Sequence, residues 1–112
     1  MLPQLEGKNE TDLVSDILGL NDLEHEIYFS LLNHQMTVKE LVEETGRTRS
    51  VVQRSLQDLL DKGLLVRKGV TDKTVYYIYS AAPFEEVREI AEEALDSWYE
   101  NAKKMLEAST GE

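Results

Sequence analysis

Between residues 45 and 57 the sequence carries three arginines and no acidic residue, although the whole chain contains 22 Asp and Glu. Two glutamines and two serines lie in the same segment. Arginine can pair with guanine through two hydrogen bonds, glutamine with adenine, and serine with either base or backbone atoms. The side chains that could make these contacts are Arg47, Arg49, Ser50, Gln53, Arg54 and Gln57. Their chemistry is that of base-edge and phosphate recognition in a DNA groove.

A helix over about 48–62 would place these side chains on one face. Apolar residues that recur at helical spacing would face inward, and these are Val52, Leu56 and Leu59. Thr48 can cap the N-terminus of this helix, and Gly63 can end it. The first turn then directs its amide groups and the positive end of the helix dipole toward a phosphate. The alternative is that Arg49 and Arg54 are solvated residues paired with nearby acids.

The elements on either side of this helix predict a helix-turn-helix with a wing. A capping box formed by Thr37 and Glu40 opens a shorter helix before it, and Gly46 fits the end of that helix. Two strand-like runs follow at 64–68 and 74–80, and residues 69–73 join them as a hairpin loop. Cations on this wing, which spans 64–80, are predicted to contact the DNA backbone: Arg67, Lys68 and Lys73. The alternation does not decide which face of the strands is buried.

Two further helices are predicted before this unit and one after it. Apolar periodicity indicates a short helix that ends at Gly19, and Asn21 with Glu24 forms a second capping box. The predicted fold class is therefore mainly α with a small β-hairpin (α+β), a winged helix-turn-helix. The predicted organisation is a loose tail at 1–10, the winged domain at 11–82 and a long C-terminal helix at 83–108.

The C-terminal helix has an apolar stripe wider than its own domain needs. About 25 residues at 1.5 Å rise give roughly 37 Å. A helix that buries two neighbouring faces can pack on its own domain and on a second copy, so we expect a homodimer through this helix. The expected dimer-interface residues are Val87, Ile90, Ala91, Ala94, Leu95, Trp98, Ala102 and Met105. The alternative is a helix folded back over a single core.

The overall charge of −10 and the pI near 4.6 have the wrong sign for a protein that binds a polyphosphate. The charge is unevenly distributed, however, since residues 1–36 and 81–112 each carry −6 and residues 37–80 carry +2. The alternative interpretation is that acidic helices flank a mixed surface. The absence of cysteine excludes disulfides, thiolate metal sites and cysteine nucleophiles. Neither a membrane span nor a targeting segment is predicted, which favours a cytoplasmic protein.

Other candidate chemistry is weaker. His25 and His34 have no third ligand nearby in sequence, and the Glu pairs at 43–44, 85–86 and 92–93 have no nucleophile partner. We therefore expect no metal, no cofactor and no enzymatic activity. Tyr76, Tyr77 and Tyr79 could stack on bases or pack the hairpin. Trp98 and Met105 could line an effector pocket or simply pack, so a small-molecule effector remains open.

Two segments resemble a known family. LGLNDLEHEIYFSLL at 18–32 and TVKELVEETGRTRSVVQRSLQDLLDKGLLVRK at 37–68 are similar to TrmB-like and MarR-like winged-helix transcriptional regulators of archaea and bacteria. The resemblance, over about 13–90, implies a homodimer with two recognition helices in successive major grooves. It assigns Thr48 as the cap of the recognition helix, groove-facing roles to Arg49, Ser50, Gln53 and Arg54, and the wing tip to 69–73.

The resemblance has a limit and a rival. Full-length TrmB-type regulators carry a large C-terminal sugar-binding domain, and this sequence has one helix there, so sugar sensing is not implied. The prediction is a sequence-specific regulator that binds double-stranded DNA as a homodimer. The alternative is a winged-helix subunit that contacts other proteins in a larger assembly.

Overall fold

The computed structural model describes residues 9–109 and places five helices and one hairpin within them. Their order along the chain matches the order predicted from the sequence. The elements are α1 (Glu10–Leu18), α2 (Asp22–Asn33), α3 (Val38–Thr45), α4 (Arg49–Asp61), β1 (Leu65–Thr71), β2 (Val75–Ala81) and α5 (Phe84–Ser109). The mainly helical winged helix-turn-helix with a long last helix is thereby confirmed.

Local hydrogen bonds fix where α2 and α3 begin. Asn21 and Glu24 form a complete capping box, with backbone-to-side-chain distances of 2.8 and 2.9 Å. Thr37 and Glu40 form a second one, at 2.8 and 3.2 Å. Gly46 ends α3 with φ +70°, a left-handed conformation that costs other residues more than glycine. The turn from α3 to α4 is therefore short and well determined.

One hydrophobic core joins α2, α3, α4, the base of the hairpin and the first half of α5. Its fully buried members include Ile27, Leu41, Val52, Leu59 and Leu64. Because α4 contributes every inward apolar position to this core, its rotation about its own axis is fixed. The opposite face of α4 is left to solvent.

The hairpin is longer than the sequence predicted. β1 runs through Gly69 and Val70 to Thr71, and these residues pair with Tyr77, Tyr76 and Val75 in an antiparallel register. The prediction of a loop at 69–73 was therefore wrong, and the turn consists of residues 72–74. The physical reason is that the two β-branched residues after Gly69, Val70 and Thr71, extend readily and pair with the strand-forming residues of β2.

A third segment holds the hairpin at its base. Met36, just before α3, forms an isolated antiparallel bridge with Tyr79, with N···O distances of 3.0 and 2.8 Å. The wing is thus anchored to the start of α3 as well as to the end of α4. This contact fixes the angle between hairpin and helix-turn-helix.

The first and last helices, α1 and α5, contact each other. α1 packs against α5, and Arg88 donates a hydrogen bond to Glu10 at 3.1 Å, which raises the pKa of the Arg88 guanidinium. Of the predicted tail at 1–10, residues 1–8 lie outside the described residues. Asn9 caps α1, and Glu10 is the first residue of that helix. Among the described residues no helix has the length and apolar character needed to cross a membrane.

Candidate nucleic-acid interface

The outward face of α4 carries the side chains that the sequence predicted there. Val52, Leu56 and Leu59 are at most 1% exposed. Their burial turns the polar side chains of the helix toward solvent, and those at positions 49, 50, 53, 54 and 57 are all exposed. Thr48 caps the helix by accepting a hydrogen bond from the amide of Val51 at 3.4 Å. The first turn of α4 contains no acidic residue, so its dipole is not neutralised within the helix.

An open groove of about 550 Å³ runs between α4, the start of α3 and the wing. Three cationic side chains line it, contributed by three different elements: Lys39 from α3, Arg49 from α4 and Arg67 from β1. Gln53 and Gln57 line its α4 wall, and tyrosines of β2 line the opposite wall. None of its lining residues is acidic, in a chain with 22 acids. The groove therefore has the positive potential and the hydrogen-bonding groups that a nucleic-acid backbone and base edges require.

The hairpin register settles which face of the wing looks into this groove. Leu65, Arg67 and Tyr79 lie on one face, since Arg67 pairs with Tyr79 and Leu65 with Ala81. Near the base this face is buried, with Leu65 and Tyr79 at 5% and 6% exposure. Further along, the Arg67 guanidinium lies 4.5 Å from the centre of the Tyr77 ring, a cation–π contact that orients its charge. Tyr79 is therefore buried where the hairpin packs, whereas Tyr77 is only partly covered.

Arg47 and Arg54 lie on the other flank of α4. They line a separate groove of about 380 Å³ together with Asp22 and Asp58. The predicted set of DNA-contacting residues is therefore divided by the helix into two rows. Arg49, Gln53 and Gln57 face the wing, and Arg47 and Arg54 face the N-terminus of α2. Two carboxylates in the second groove reduce its positive potential relative to the first.

Gln57, the last residue of α4 that was predicted to face DNA, is hydrogen-bonded to another side chain of the same helix. Gln57 donates a hydrogen bond from Nε2 to Oδ1 of Asp61 at 2.8 Å, one turn further along. This bond fixes which end of the carboxamide is the nitrogen. Asp61 also marks the C-terminal limit of the acid-free, wing-facing side of α4, since Asp58 lies on the other flank. Its role was missed because an aspartate at that spacing is ordinary in an exposed helix.

The remaining wing cations and Ser50 are exposed and lie apart from these grooves. Lys68 pairs with Ile78 and so lies on the opposite face of the hairpin from Arg67. Lys73 is in the turn at the tip. Lys39 was not identified from the sequence. It lies two residues after the capping Thr37, in the first turn of the helix that precedes α4, and this position alone does not reveal that it lines the groove.

The predicted dimer residues divide according to their burial. Val87 and Ala91 are 1% and 2% exposed and pack in the core of their own protomer. Ile90, Ala94 and Ala102 are half-buried. Leu95, Trp98 and Met105 are 42%, 51% and 73% exposed. Leu95, Trp98 and Met105 are therefore accessible to a second copy, and Ile90, Ala94 and Ala102 are partly accessible. Val87 and Ala91 are not.

The two histidines have structural surroundings. His25 lies 2.6 Å from the Ser15 hydroxyl through Nδ1 and packs on the Phe29 ring at 4.6 Å. His34 caps the C-terminus of α2. Within residues 9–109 no group of three or more potential ligands among His, Cys, Asp and Glu could hold a metal ion.

Comparison with curated proteins and protein families places the chain among regulators. Residues 14–85 match the family of the sugar-specific transcriptional regulator TrmB. The uncharacterized protein MJ1082 of Methanocaldococcus jannaschii is 45% identical over 97 residues, which cover 85% of this chain and 81% of that protein. The region of the family match includes both grooves and ends just inside α5.

Solved structures share the fold. A possible transcriptional regulator from Methanosarcina mazei Go1 superposes with a TM-score of 0.77 at 22% identity, covering 96% of this chain and 95% of the other. A transcriptional regulator of the MarR family from Enterococcus faecalis V583 gives 0.57 at 14% identity, covering 98% and 100%. The C30S mutant of Lactococcus lactis ZitR in complex with DNA gives 0.57 at 20% identity, covering 98% and 83%. The fold is thus that of winged-helix regulators, and the chain belongs to the TrmB family of transcriptional regulators.

Proposed function

We propose that this chain is a sequence-specific, double-stranded-DNA-binding transcriptional regulator that acts as a homodimer. In this proposal α4 enters the major groove with Arg49, Ser50, Gln53 and Arg54 toward base edges, and the wing lies on the backbone. The observation that carries it is the acid-free groove that contains Lys39, Arg49 and Arg67. That groove concentrates positive charge where an overall charge of −10 would otherwise repel DNA.

The two flanks of α4 suit different parts of a duplex. On the wing side, Lys39 and Arg67 can hold one phosphate strand while Gln53 reaches into the groove. On the other side, Arg47 lies at the turn before α4 and can reach the opposite strand. A recognition helix in the major groove meets one backbone on each side, so cations on both flanks fit this docking. ZitR, whose structure contains DNA, has the same fold.

The homodimer is supported by the exposed apolar residues in the second half of α5. Leu95, Trp98 and Met105 are large and exposed on a helix that projects beyond the core. The described chain extends 66 Å in its longest dimension against 30 and 26 Å in the others. Two copies joined through these helices would present two α4 helices, as half-sites about 34–36 Å apart require.

Selection from a random duplex library followed by titration tests this proposal. We expect enrichment of an inverted repeat, and affinity for it that falls steeply with salt because each neutralised phosphate releases a counterion. Arg49→Ala should weaken binding strongly. The matched control, Arg88→Ala, removes the same charge from α5 and should leave the affinity nearly unchanged.

The alternative, a winged-helix subunit that binds other proteins, is favoured by the acidic first half of α5, which would suit a basic partner. The same titration separates the two functions. Salt-sensitive binding to a selected sequence supports the regulator. No enrichment and no salt-sensitive binding at any duplex would reject DNA binding and leave the interaction subunit.

A further inference from the structure

The wing holds one of its cations against an aromatic ring. The Arg67 Cζ atom lies 4.5 Å from the centre of the Tyr77 ring. Across the hairpin, Arg67 pairs with Tyr79. The next pair on the same face is Gly69 with Tyr77, which makes Arg67 and Tyr77 diagonal neighbours. Aromatic and long side chains reach each other at diagonal positions of a ladder, so the strand register itself brings these two together.

The Tyr77 ring is itself held from two sides. Along β2, its centre lies 6.4 Å from that of the Tyr79 ring, in an edge-to-face arrangement at 63°. Tyr79 is 6% exposed and is bonded to Met36 through both of its backbone groups. Toward β1, two Tyr77 ring carbons lie 3.6 and 3.9 Å from the position that a Cβ on Gly69 would take, so the ring leans across the hairpin. The buried base of the wing thus fixes the ring, and the ring orients the guanidinium.

The ring contact orients the charge of Arg67 without neutralising it. In the part of the chain that the structure describes, no carboxylate forms an ion pair with Arg67. Arg88 on α5 shows the contrast, since Glu10 pairs with it at 3.1 Å. The face of a tyrosine ring attracts a cation but carries no net charge. The guanidinium of Arg67 therefore keeps its full charge for an anion that enters the groove.

An arginine that is already oriented loses less freedom when it binds. A mobile side chain must be ordered on binding, and this ordering weakens the affinity severalfold for each such side chain. Contact with the Tyr77 ring restricts the Arg67 side chain before any anion arrives. Part of the ordering cost is then met during folding of the wing, so the affinity for the anion is higher.

We infer that Tyr77 is a positioning residue for DNA binding, which holds the Arg67 guanidinium in the groove ready for a backbone phosphate. This role rests on the proposed DNA-binding function and extends it, because Tyr77 acts through Arg67 and not through a contact of its own with the duplex. It also assigns a purpose to a tyrosine that the core does not cover.

A double-mutant cycle on the selected duplex tests this role. The four proteins are the wild type, Tyr77→Leu, Arg67→Ala and the double variant. We expect Tyr77→Leu to weaken binding about threefold to tenfold and to leave the salt slope unchanged, because the charge is still present. Arg67→Ala should reduce that slope by about 0.9, and Tyr77→Leu should then cause no further loss. An equal loss from Tyr77→Leu with and without Arg67 would overturn the inference.

A conservative variant and a neighbouring tyrosine give the controls. Tyr77→Phe keeps the ring and should recover most of the affinity that Tyr77→Leu loses. If Tyr77→Phe were as weak as Tyr77→Leu, the hydroxyl would be the important group and the inference would be wrong. Tyr76 pairs with Val70 on the other face of the ladder, so the effect of Tyr76→Leu should not depend on Arg67. Dependence on Arg67 there as well would indicate a general disturbance of the wing, and it would also overturn the inference.

NMR of the free protein tests the contact without DNA. The ring current of Tyr77 should shift the side-chain signals of Arg67 upfield in the wild type and in Tyr77→Phe. Tyr77→Leu should abolish this shift while the rest of the spectrum remains that of the folded protein. Unshifted Arg67 signals in the wild type would overturn the inference. If the wild type bound no duplex at all, the proposed function itself would be rejected, whereas binding without coupling between Tyr77 and Arg67 rejects the positioning role alone.

Discussion

The hydroxyl of Tyr28 donates a buried hydrogen bond of 2.8 Å to the backbone carbonyl of Ala82. Ala82 lies between β2 and α5, and its own amide donates to the carbonyl of Leu64 at 2.9 Å. One tyrosine of α2 thereby fixes the point where the wing ends and α5 begins. The angle between α4 with its wing and the helix that projects from them depends on this contact.

Tyr28→Phe should lower the free energy of unfolding by about 1–3 kcal/mol, because it leaves the buried carbonyl of Ala82 without this donor. Urea denaturation measures the change, and the slope m should stay constant. Tyr99→Phe is the control, since Tyr99 is 58% exposed and should change stability by less than about 0.5 kcal/mol. Equal losses in both variants would contradict a special role for the Tyr28 hydroxyl.

Burial, followed by the nearby charge of Glu86, raises the pKa of Tyr28 from 10.0 to about 12. Between these values the unfolded chain has lost the phenolic proton and the folded chain retains it, so stability falls as the pH rises. The contribution is fully present below pH 10 and lost through about pH 12, and it is on the order of 2–3 kcal/mol at about 1.4 kcal/mol per pKa unit. We expect the free energy of unfolding to fall less between pH 9 and pH 11.5 in Tyr28→Phe than in the wild type. An equal fall in both proteins would contradict the raised pKa of Tyr28.

The sequence predicted the fold well where local chemistry alone determines it. The capping boxes of α2 and α3 and the glycine that ends α3 are satisfied within a few residues, so type and spacing suffice. The periodicity of α4 likewise predicted its outward face. The hairpin loop was misplaced because its length depends on how far the two strands pair, and the partners of residues 69–71 lie across the hairpin at 75–77.

The candidate site was predicted in its central helix and missed at its edges. Lys39 reaches the groove because α3 packs beside α4, which sequence spacing does not reveal. Arg49 and Arg54 are five residues apart, about 140° around the helix, so helical spacing alone separates them. Which of the two faces the wing depends on where the hairpin lies, and the bridge between Met36 and Tyr79 determines that position. Long-range contacts of this kind leave no local pattern in the chain.

Arg54→Ala should cost about 1–3 kcal/mol of binding to the selected duplex and relax the preference at one base position. The reason is that a bidentate arginine contact discriminates between bases, whereas a phosphate contact does not. Titration against duplexes with single base-pair substitutions measures it. A uniform loss across all sequences would assign Arg54 to the backbone, and unchanged binding would remove it from the interface.

Lys73→Ala at the wing tip and Lys39→Ala in the groove should weaken binding equally for every sequence. Each removes one phosphate contact, so the slope of log affinity against log salt should fall by about 0.9. Titrations at three salt concentrations measure this slope. Lys62→Ala, at the far end of α4, is the matched control, and a similar change in slope there would indicate a general charge effect.

Asp61→Ala should raise the affinity for all duplexes and relax the base preference at one position. The rise follows from removing a negative charge beside the phosphates, and the relaxation follows from freeing the Gln57 carboxamide, whose Nε2 is held at 2.8 Å by Asp61. Asp61→Asn is the matched control, because its side-chain oxygen can still accept that hydrogen bond while the charge is lost. It should raise affinity to the same degree and keep the preference. Binding to the selected duplex and its single-substitution panel measures both effects, and equal discrimination by the two variants would show that Asp61 acts through its charge alone.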